Sequence, residues 1–251
     1  MKTSKIRRLR FDHAPERYRF VWDSAMDRRI AELKRRYDLG RLEDREGNRY
    51  RTLKNCLKWA HGRFCLSDYN SSLSPLEGAA PAKRLRCVEY SAILRACLAA
   101  LGIRARRLAL KTRDAETRKE GAGHIAVEAY VPEYGKWVFI DPQWGTLPVL
   151  DGTPLNAVEL QAVISEGRDV KFWNLKAVEG KRYRDYIYRY LFYFDVRFDN
   201  RTRMDRKRHE RLMLVPIGAK RPKVFQRTLP LRNTRYTNSL KAFYPAVKPG
   251  K

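Results

Sequence analysis

The chain has 251 residues, 43% of them hydrophobic and 33% charged, with 54 Lys and Arg against 28 Asp and Glu. This length can bury a sizeable core, as one large domain or as a domain with an extension, and 12% aromatic residues argue against wholesale disorder. No apolar run approaches the roughly 20 residues that a membrane span requires, and the basic first ten residues lack the apolar segment of a secretory signal. We therefore expect a soluble, cytoplasmic globular protein.

The net charge of +26 is unevenly distributed. Residues 1–80 hold 19 basic and 11 acidic residues, residues 81–160 hold 12 and 9, and residues 161–251 hold 23 and 8. The last third carries +15 by itself, which favours attraction to polyanions or anionic substrates. The charge alone does not identify the partner, because no helix-turn-helix, zinc-finger or RNA-recognition motif accompanies it.

Periodic patterns predict three helices and then a series of strands. The predicted helices lie at residues 23–39, 50–66 and 88–101. The predicted strands lie at residues 103–111, 124–131, 136–141, 188–198 and 211–215. Residues 67–81, rich in Ser, Asn, Gly and Pro, indicate a loop, and a loop of that length is often functional.

Only one of the four cysteines has the setting of a reactive thiol. Cys87 comes at the start of the third predicted helix, where unpaired N–H groups and the helix dipole favour a thiolate. Cys97 lies in the middle of the same helix among leucines, where burial makes it inert. Cys56 and Cys65 flank His61, but the spacing fits no common zinc pattern, so we expect no metal site.

The register of a predicted hairpin brings a histidine and an aspartate to one face. If Val131 pairs with Lys136 across the turn at residues 132–135, His124 lies opposite Gln143. Asp141 is then a diagonal neighbour of His124, about 7 Å away at the backbone and within reach of side chains. A shift of one residue would separate the two, and it would also break up the apolar face, which consists of Ile125, Val127, Ala129, Val131, Val138 and Ile140.

Cysteine, histidine and aspartate are the three groups that nucleophilic acyl transfer requires. Cys87 would attack an acyl carbon, His124 would take and return the proton, and Asp141 would orient the imidazole. The backbone N–H of Cys87 is the natural first donor to the oxyanion. Candidates for the second donor are Trp59 and Asn70, and Trp144 is either a wall of the cleft or a packing residue.

Four segments together resemble the transglutaminase-like superfamily: RCVEY at 86–90, LGIRAR at 101–106, GHIAVE at 123–128 and WVFID at 137–141. Cys87, His124 and Asp141 match the Cys-His-Asp triad of that family in order and context. The segments WAH at 59–61 and PLNAVE at 154–159 are similar to those of uncharacterised bacterial members. The agreement is best over residues 50–160.

The resemblance implies an α+β, papain-like core in which the cysteine helix and N-terminal helices pack on an antiparallel sheet that bears His124 and Asp141. We expect a catalytic domain over residues 1–175, followed by a basic, β-rich extension over 176–251 that packs on it. Members of the family include protein crosslinkers, cysteine proteases and peptide amidases. The proposed chemistry requires no cofactor, and the sequence has no acidic cluster that indicates a calcium site, so calcium dependence is not predicted.

Two functions remain open from the sequence. The first is a cysteine-dependent hydrolase or acyltransferase that acts on protein or peptide amides through a thioester, with hydrolysis slightly favoured. Its substrate could be acidic. The second is a non-catalytic module of the same fold that binds nucleic acid or another acidic polymer through its basic C-terminal third.

Overall fold

The computed structural model describes residues 7–24, 27–62, 86–202 and 210–247. The helices are α1 (Arg28–Arg36), α2 (Arg49–Gly62), α3 (Cys87–Ala100), α4 (Ala157–Ser165), α5 (Ala177–Tyr188) and α6 (Leu240–Phe243). The strands are β1 (Ala105–Lys111), β2 (Gly123–Val131), β3 (Lys136–Ile140), β4 (Leu147–Leu150), β5 (Thr153–Pro154), β6 (Lys171–Trp173), β7 (Tyr193–Arg197), β8 (Arg211–Leu214), β9 (Val224–Phe225), β10 (Leu229–Pro230) and β11 (Thr234–Thr237).

The main sheet has the strand order β11-β8-β7-β1-β2-β3. All of its neighbouring strands are antiparallel except β11 and β8, which run parallel. Two small antiparallel sheets, β5-β4-β6 and β10-β9, lie outside it. The predicted fold class, helices combined with a mainly antiparallel sheet, is confirmed.

Helices cover both faces of the sheet because successive strand residues point to opposite sides. On one face, Ala105 and Val127 belong to an apolar core shared with α1, α2 and α3. On the other face, Leu108 and Ala126 belong to a second core shared with α4 and α5. The site described below lies where α3 begins beside the start of β2.

The β2–β3 hairpin has the predicted register. Val131 pairs with Lys136, and Val127 pairs with Ile140. The turn is a short 3₁₀ segment at Pro132–Tyr134, and Gly135 follows it in the left-handed region with φ 60°, which glycine adopts at little cost. This register places His124 and Asp141 on the same face of the sheet.

The structure corrects one predicted strand. Residues 188–198 were expected to form a single strand, but α5 continues to Tyr188 and β7 spans only Tyr193–Arg197. Tyr183 and Ile187 are fully buried at a helical spacing, and their burial stabilises a helix in place of an extended chain. The strand expected over 211–215 does form as β8 and pairs with β7.

The helical predictions agree with the structure apart from their ends. Helix α1 begins at Arg28 because the Asp27 side chain caps it by accepting the N–H of Arg29 at 3.0 Å. Helix α3 ends before Gly102, which has φ 70°. The predicted loop at 67–81 lies outside the described residues. None of the helices in the part of the chain that the structure describes is long and apolar enough to cross a membrane.

Candidate active site

Cys87 is the first residue of α3 and is partly exposed. The N–H of the preceding Arg86 donates to a Glu89 carboxylate oxygen at 2.9 Å, which fixes the point where the helix begins. The N–H groups of a first helical turn have no partners within the helix. The hydroxyl oxygen of Ser91 lies 2.7 Å from the carbonyl oxygen of Cys87 and 2.9 Å from that of Ile125, so it ties this turn to β2.

His124 and Asp141 form a buried pair. The Nε2 atom of His124 lies 2.7 Å from Oδ2 of Asp141, and the two side chains are 1% and 0% exposed. The same oxygen accepts the hydroxyl of Tyr183 at 2.9 Å. The other carboxylate oxygen accepts the N–H groups of Gln143 at 3.1 Å and Trp144 at 3.3 Å. Four donors therefore hold the carboxylate in one orientation.

The second ring nitrogen of His124 faces Cys87 and Tyr186. The Tyr186 hydroxyl lies 3.1 Å from Nδ1, and a hydrogen bond also joins the imidazole to the Cys87 thiol. Because Asp141 occupies Nε2, Nδ1 is the nitrogen that can exchange a proton with the sulfur. The structure thus brings Cys87, His124 and Asp141 together in a chain of contacts.

These neighbours change the protonation of His124. Burial lowers its pKa, but the charge and hydrogen bond of Asp141, followed by those of Cys87, more than offset this effect and raise the pKa to about 10. The imidazole is therefore protonated at neutral pH. The imidazolium thus lies between the Asp141 carboxylate and the Cys87 sulfur.

Two tyrosines of α5 complete the site, and sequence reasoning missed both. Tyr183 and Tyr186 contact Asp141 and His124 respectively, and the ring of Trp144 packs on them with centroid distances of 5.2 and 5.3 Å. Trp144 therefore packs directly beside the site, where it had been expected as either a cleft wall or a packing residue. The three-residue spacing of the tyrosines was the available signal, but the sequence analysis predicted no element over these residues.

The two candidates for the second oxyanion donor were Trp59 and Asn70, and the structure describes the first of them. Trp59 lies in α2, where its ring packs edge-on against Tyr37 with centroids 6.0 Å apart. Asn70 lies outside the described residues. The second oxyanion donor is therefore still unassigned.

The C-terminal end of α2 packs against the loop that follows Asp141. The Nδ1 atom of His61 lies 3.1 Å from the carbonyl oxygen of Pro142. Gly145 has φ 62°, and a Cβ atom there would lie 2.7 Å from the His61 ring. Both the backbone conformation and the close approach of the ring require glycine at this position.

The remaining described cysteines are buried. Cys97 has its pKa raised well above the usual range by a hydrogen bond with Cys56 and by burial, so it is a poor nucleophile at neutral pH. Within the described ranges, no group of three or more His, Cys, Asp or Glu residues is arranged to hold a metal ion.

Comparison with known families identifies the region that holds these residues. Residues 40–142 match the sequence model of the transglutaminase-like superfamily. This region of the chain is transglutaminase-like. The predicted resemblance is confirmed there, and Cys87, His124 and Asp141 all lie within the matched region.

Comparisons with curated proteins and with solved structures are less informative than the family match. A search of curated proteins gives no match. A crystal structure of a candidate cysteine protease from Cytophaga hutchinsonii is similar to this chain at 17% identity and a TM-score of 0.35. The similarity covers 47% of this chain and 40% of that protein, so the chain matches about two fifths of its length.

Proposed function

We propose that this protein is a cysteine-dependent amide or peptide hydrolase that acts through a thioester. The observation that carries the proposal is the position of His124, whose Nε2 atom lies 2.7 Å from Asp141 while its other side contacts Cys87 at the start of α3. The protonated imidazole beside the sulfur supports a thiolate nucleophile at neutral pH.

The reaction requires two attacks on one carbonyl carbon. The Cys87 thiolate forms a bond to the amide carbon, and the oxyanion accepts a hydrogen bond from the N–H of Cys87. The C–N bond then breaks, and the amine leaves with the proton of His124 Nδ1. Water next attacks the thioester and gives a proton back to His124, and the C–S bond breaks to release the acid and restore the thiolate.

Asp141 holds the imidazole throughout this cycle. Its carboxylate keeps the proton on Nε2 and stabilises the imidazolium that is present before attack and after deacylation. Hydrolysis is favoured over transfer to an amine because water is the most abundant acceptor. The subtype, protease or amidase, depends on the substrate.

Site-resolved alkylation tests the nucleophile without a known substrate. The protein is treated with iodoacetamide from pH 5 to 9, and each cysteine is quantified by mass spectrometry. We expect Cys87 to be labelled rapidly at pH 6 while the buried Cys97 serves as an internal reference. His124→Ala should slow labelling of Cys87 at low pH because the thiolate loses its imidazolium partner.

A peptide library then tests turnover. Amide cleavage by the native protein, abolished in Cys87→Ser with an unchanged far-ultraviolet circular dichroism spectrum, would support the proposal. If Cys87 reacts no faster than a peptide thiol and His124→Ala has no effect, the proposed catalysis is wrong. The module that binds an anionic partner would then be the better description.

A further inference from the structure

A cavity of 840 Å³ opens beside Cys87. Ala109 and Ile125, which line it, pair with each other one position from His124, so they lie on the opposite face of the sheet from His124. Apolar side chains form part of its wall, including Ile125, Phe225 and Leu231. Its charged lining residues are all cationic: Arg86, Lys111, Arg211 and Arg232. Cys87 itself lies on the wall, so a molecule bound in this cavity would contact the proposed nucleophile.

The cations continue across one face of the main sheet. Arg107 and Lys111 lie on β1 at an even spacing, so they share a face. Ala109, between them, pairs with Asp195 of β7, and Arg197, two residues further along, pairs with Arg211 of β8. Three adjacent strands therefore direct four cations and one carboxylate to the same side.

The carboxylate does not balance these charges. Asp195 lies 2.6 Å from Lys111 and 3.3 Å from Arg211. Among the described residues, no carboxylate lies within salt-bridge distance of Arg107 or Arg197, and the buried Nε atom of Arg107 has no hydrogen-bond partner. Buried polar groups are normally paired, so the buried Nε–H of this half-buried arginine lacks a partner that a bound anion would supply.

The unpaired cations destabilise one another. Burial and then the charges of Arg197, Arg95 and Arg211 lower the pKa of Arg107 to about 9, while the charge of Cys87 raises it. Burial and the charge of Arg211 likewise lower the pKa of Arg197 to about 10. An anion bound here would reverse these unfavourable interactions, which gives the cluster a selective affinity for negative charge.

We propose that the cavity beside Cys87 binds a carboxylate of the acyl donor, so that the substrate is an acidic peptide with a negatively charged side chain next to the scissile amide. This inference rests on the proposed function. Lys111 and Arg211, which line the cavity, would hold the carboxylate, and Arg107, which shares their face of the sheet without lining the cavity, would add its positive charge. The apolar wall would hold neighbouring parts of the peptide. A carboxylate suits this site because guanidinium groups bind it with two parallel hydrogen bonds.

Two alkylating reagents that differ in charge test the site without requiring turnover. Iodoacetate carries a carboxylate, whereas iodoacetamide is neutral and of similar size. Their rate ratio at Cys87 is measured by mass spectrometry in the native protein and, as the reference for the same thiol, in urea. We expect the ratio to be about 10-fold higher in the folded protein, as a cation within several ångströms would produce.

Arg107→Gln and Arg235→Gln form a matched pair of variants. Arg235 lies on β11, pairs with Glu210 and is exposed, so its loss changes the net charge equally but away from the cationic face, since it pairs with Leu212 and not with Arg211. We expect Arg107→Gln to reduce the ratio about 3- to 10-fold and Arg235→Gln to leave it unchanged. The difference should persist at 0.5 M salt, which screens the field of exposed charges.

The outcomes separate this inference from the proposed function. Rapid labelling of Cys87 by iodoacetamide with the same charge ratio in the folded and unfolded protein would overturn the anion site and leave the hydrolase proposal intact. An equal fall in the ratio for both variants would also overturn it, because the effect would then come from net charge. Slow labelling by both reagents would overturn the proposed nucleophile.

Peptide binding provides the independent measurement. Fluorescence anisotropy with Cys87→Ala, which cannot turn over, is compared for two peptides that differ only by Glu or Gln beside the amide. We expect the Glu peptide to bind at least 10-fold more tightly, as a charge-assisted contact would give. Equal binding of the two peptides would refute the inference even if the protein proves to be a hydrolase.

Discussion

Asp141→Asn isolates the charge that governs His124. The substitution keeps an oxygen that can accept the N–H groups of Gln143 and Trp144, but it removes the negative charge from the partner of Nε2. Burial of the imidazole, which lowers the pKa, is then opposed mainly by the hydrogen bond and charge of Cys87. We expect the His124 pKa to fall well below about 10.

The change has a calculable effect on folding. A His124 pKa raised from 6.5 to about 10 corresponds to about 5 kcal/mol in favour of the imidazolium in the folded protein, at about 1.36 kcal/mol per pH unit. This stability is fully present below pH 6.5 and is lost as the pH rises through 10. In Asp141→Asn, that pH-dependent contribution should largely disappear.

Two measurements check this prediction. The chain has four histidines, so a titration of histidine-labelled protein by nuclear magnetic resonance can resolve each imidazole between pH 5 and 11. Urea unfolding at pH 6.5 and pH 10 gives the stability difference. Tyr183→Phe is the matched control, because it removes a hydrogen bond to Asp141 but keeps the charge, and most of the rise in the His124 pKa should remain.

The reasoning would be refuted by a native His124 that titrates near 6.5. It would equally be refuted by a pKa near 10 that survives Asp141→Asn, since the carboxylate would then not be its cause. Cys87 alkylation at pH 6 provides the chemical counterpart. We expect its rate to fall by up to about 10²-fold in Asp141→Asn, because a thiol of ordinary pKa is less than about 1% thiolate at pH 6.

Three further predictions concern the site and a separate buried ion pair. Tyr186→Phe should raise the alkylation rate of Cys87 at pH 6 about 2- to 10-fold, because the hydroxyl competes with the sulfur for Nδ1 of His124; a slower rate would show that the hydroxyl orients the ring. Turnover should decline as the pH rises through about 10, where His124 loses its proton, and a steady rate to pH 11 would contradict this. Glu128→Gln should lower the free energy of unfolding in urea by about 3–5 kcal/mol, because it leaves the fully buried Arg106 without its charge partner at 2.7 Å; a loss below about 1 kcal/mol would count against it.

The hairpin that holds His124 and Asp141 could be predicted because its constraints are local. Alternation fixes which residues share a face, and the turn length then fixes the register. The observed pairing of Val131 with Lys136 agrees with that reasoning. The start of α3 was equally accessible, since an apolar helix that ends at Gly102 left little freedom in the placement of Cys87.

The positions of Tyr183 and Tyr186 beside the site could not be predicted, because the residues that they contact are distant in sequence. Tyr183 is 42 residues from Asp141, and Tyr186 is 62 residues from His124. Aromatic residues between 183 and 198 fit both a helical and an extended pattern over short windows, and periodicity alone does not separate the two. Packing against Trp144 and the buried carboxylate decides in favour of the helix.

The cationic face of the main sheet could not be predicted from the sequence for a related reason. The sequence shows a basic C-terminal third, but Arg107 belongs to the nearly neutral middle of the chain and meets Arg197 and Arg211 only through the order β8-β7-β1. That order is set by long-range pairing, which local patterns do not specify. Charge counted along the chain therefore pointed to the C-terminal third as a whole. The strand order of the sheet instead brings a smaller number of cations together beside the sulfur of Cys87.

Cys87 lies at the boundary between two different electrostatic environments. On one side, the imidazolium of His124 is paired with Asp141 and held by tyrosines, so its charge is balanced before any substrate arrives. On the other side, Arg107 has no carboxylate partner among the described residues. The first environment suits proton transfer, which needs a fixed geometry and a matched pKa. The second suits recognition, because a charge left unpaired in the free protein gains most when an anion binds.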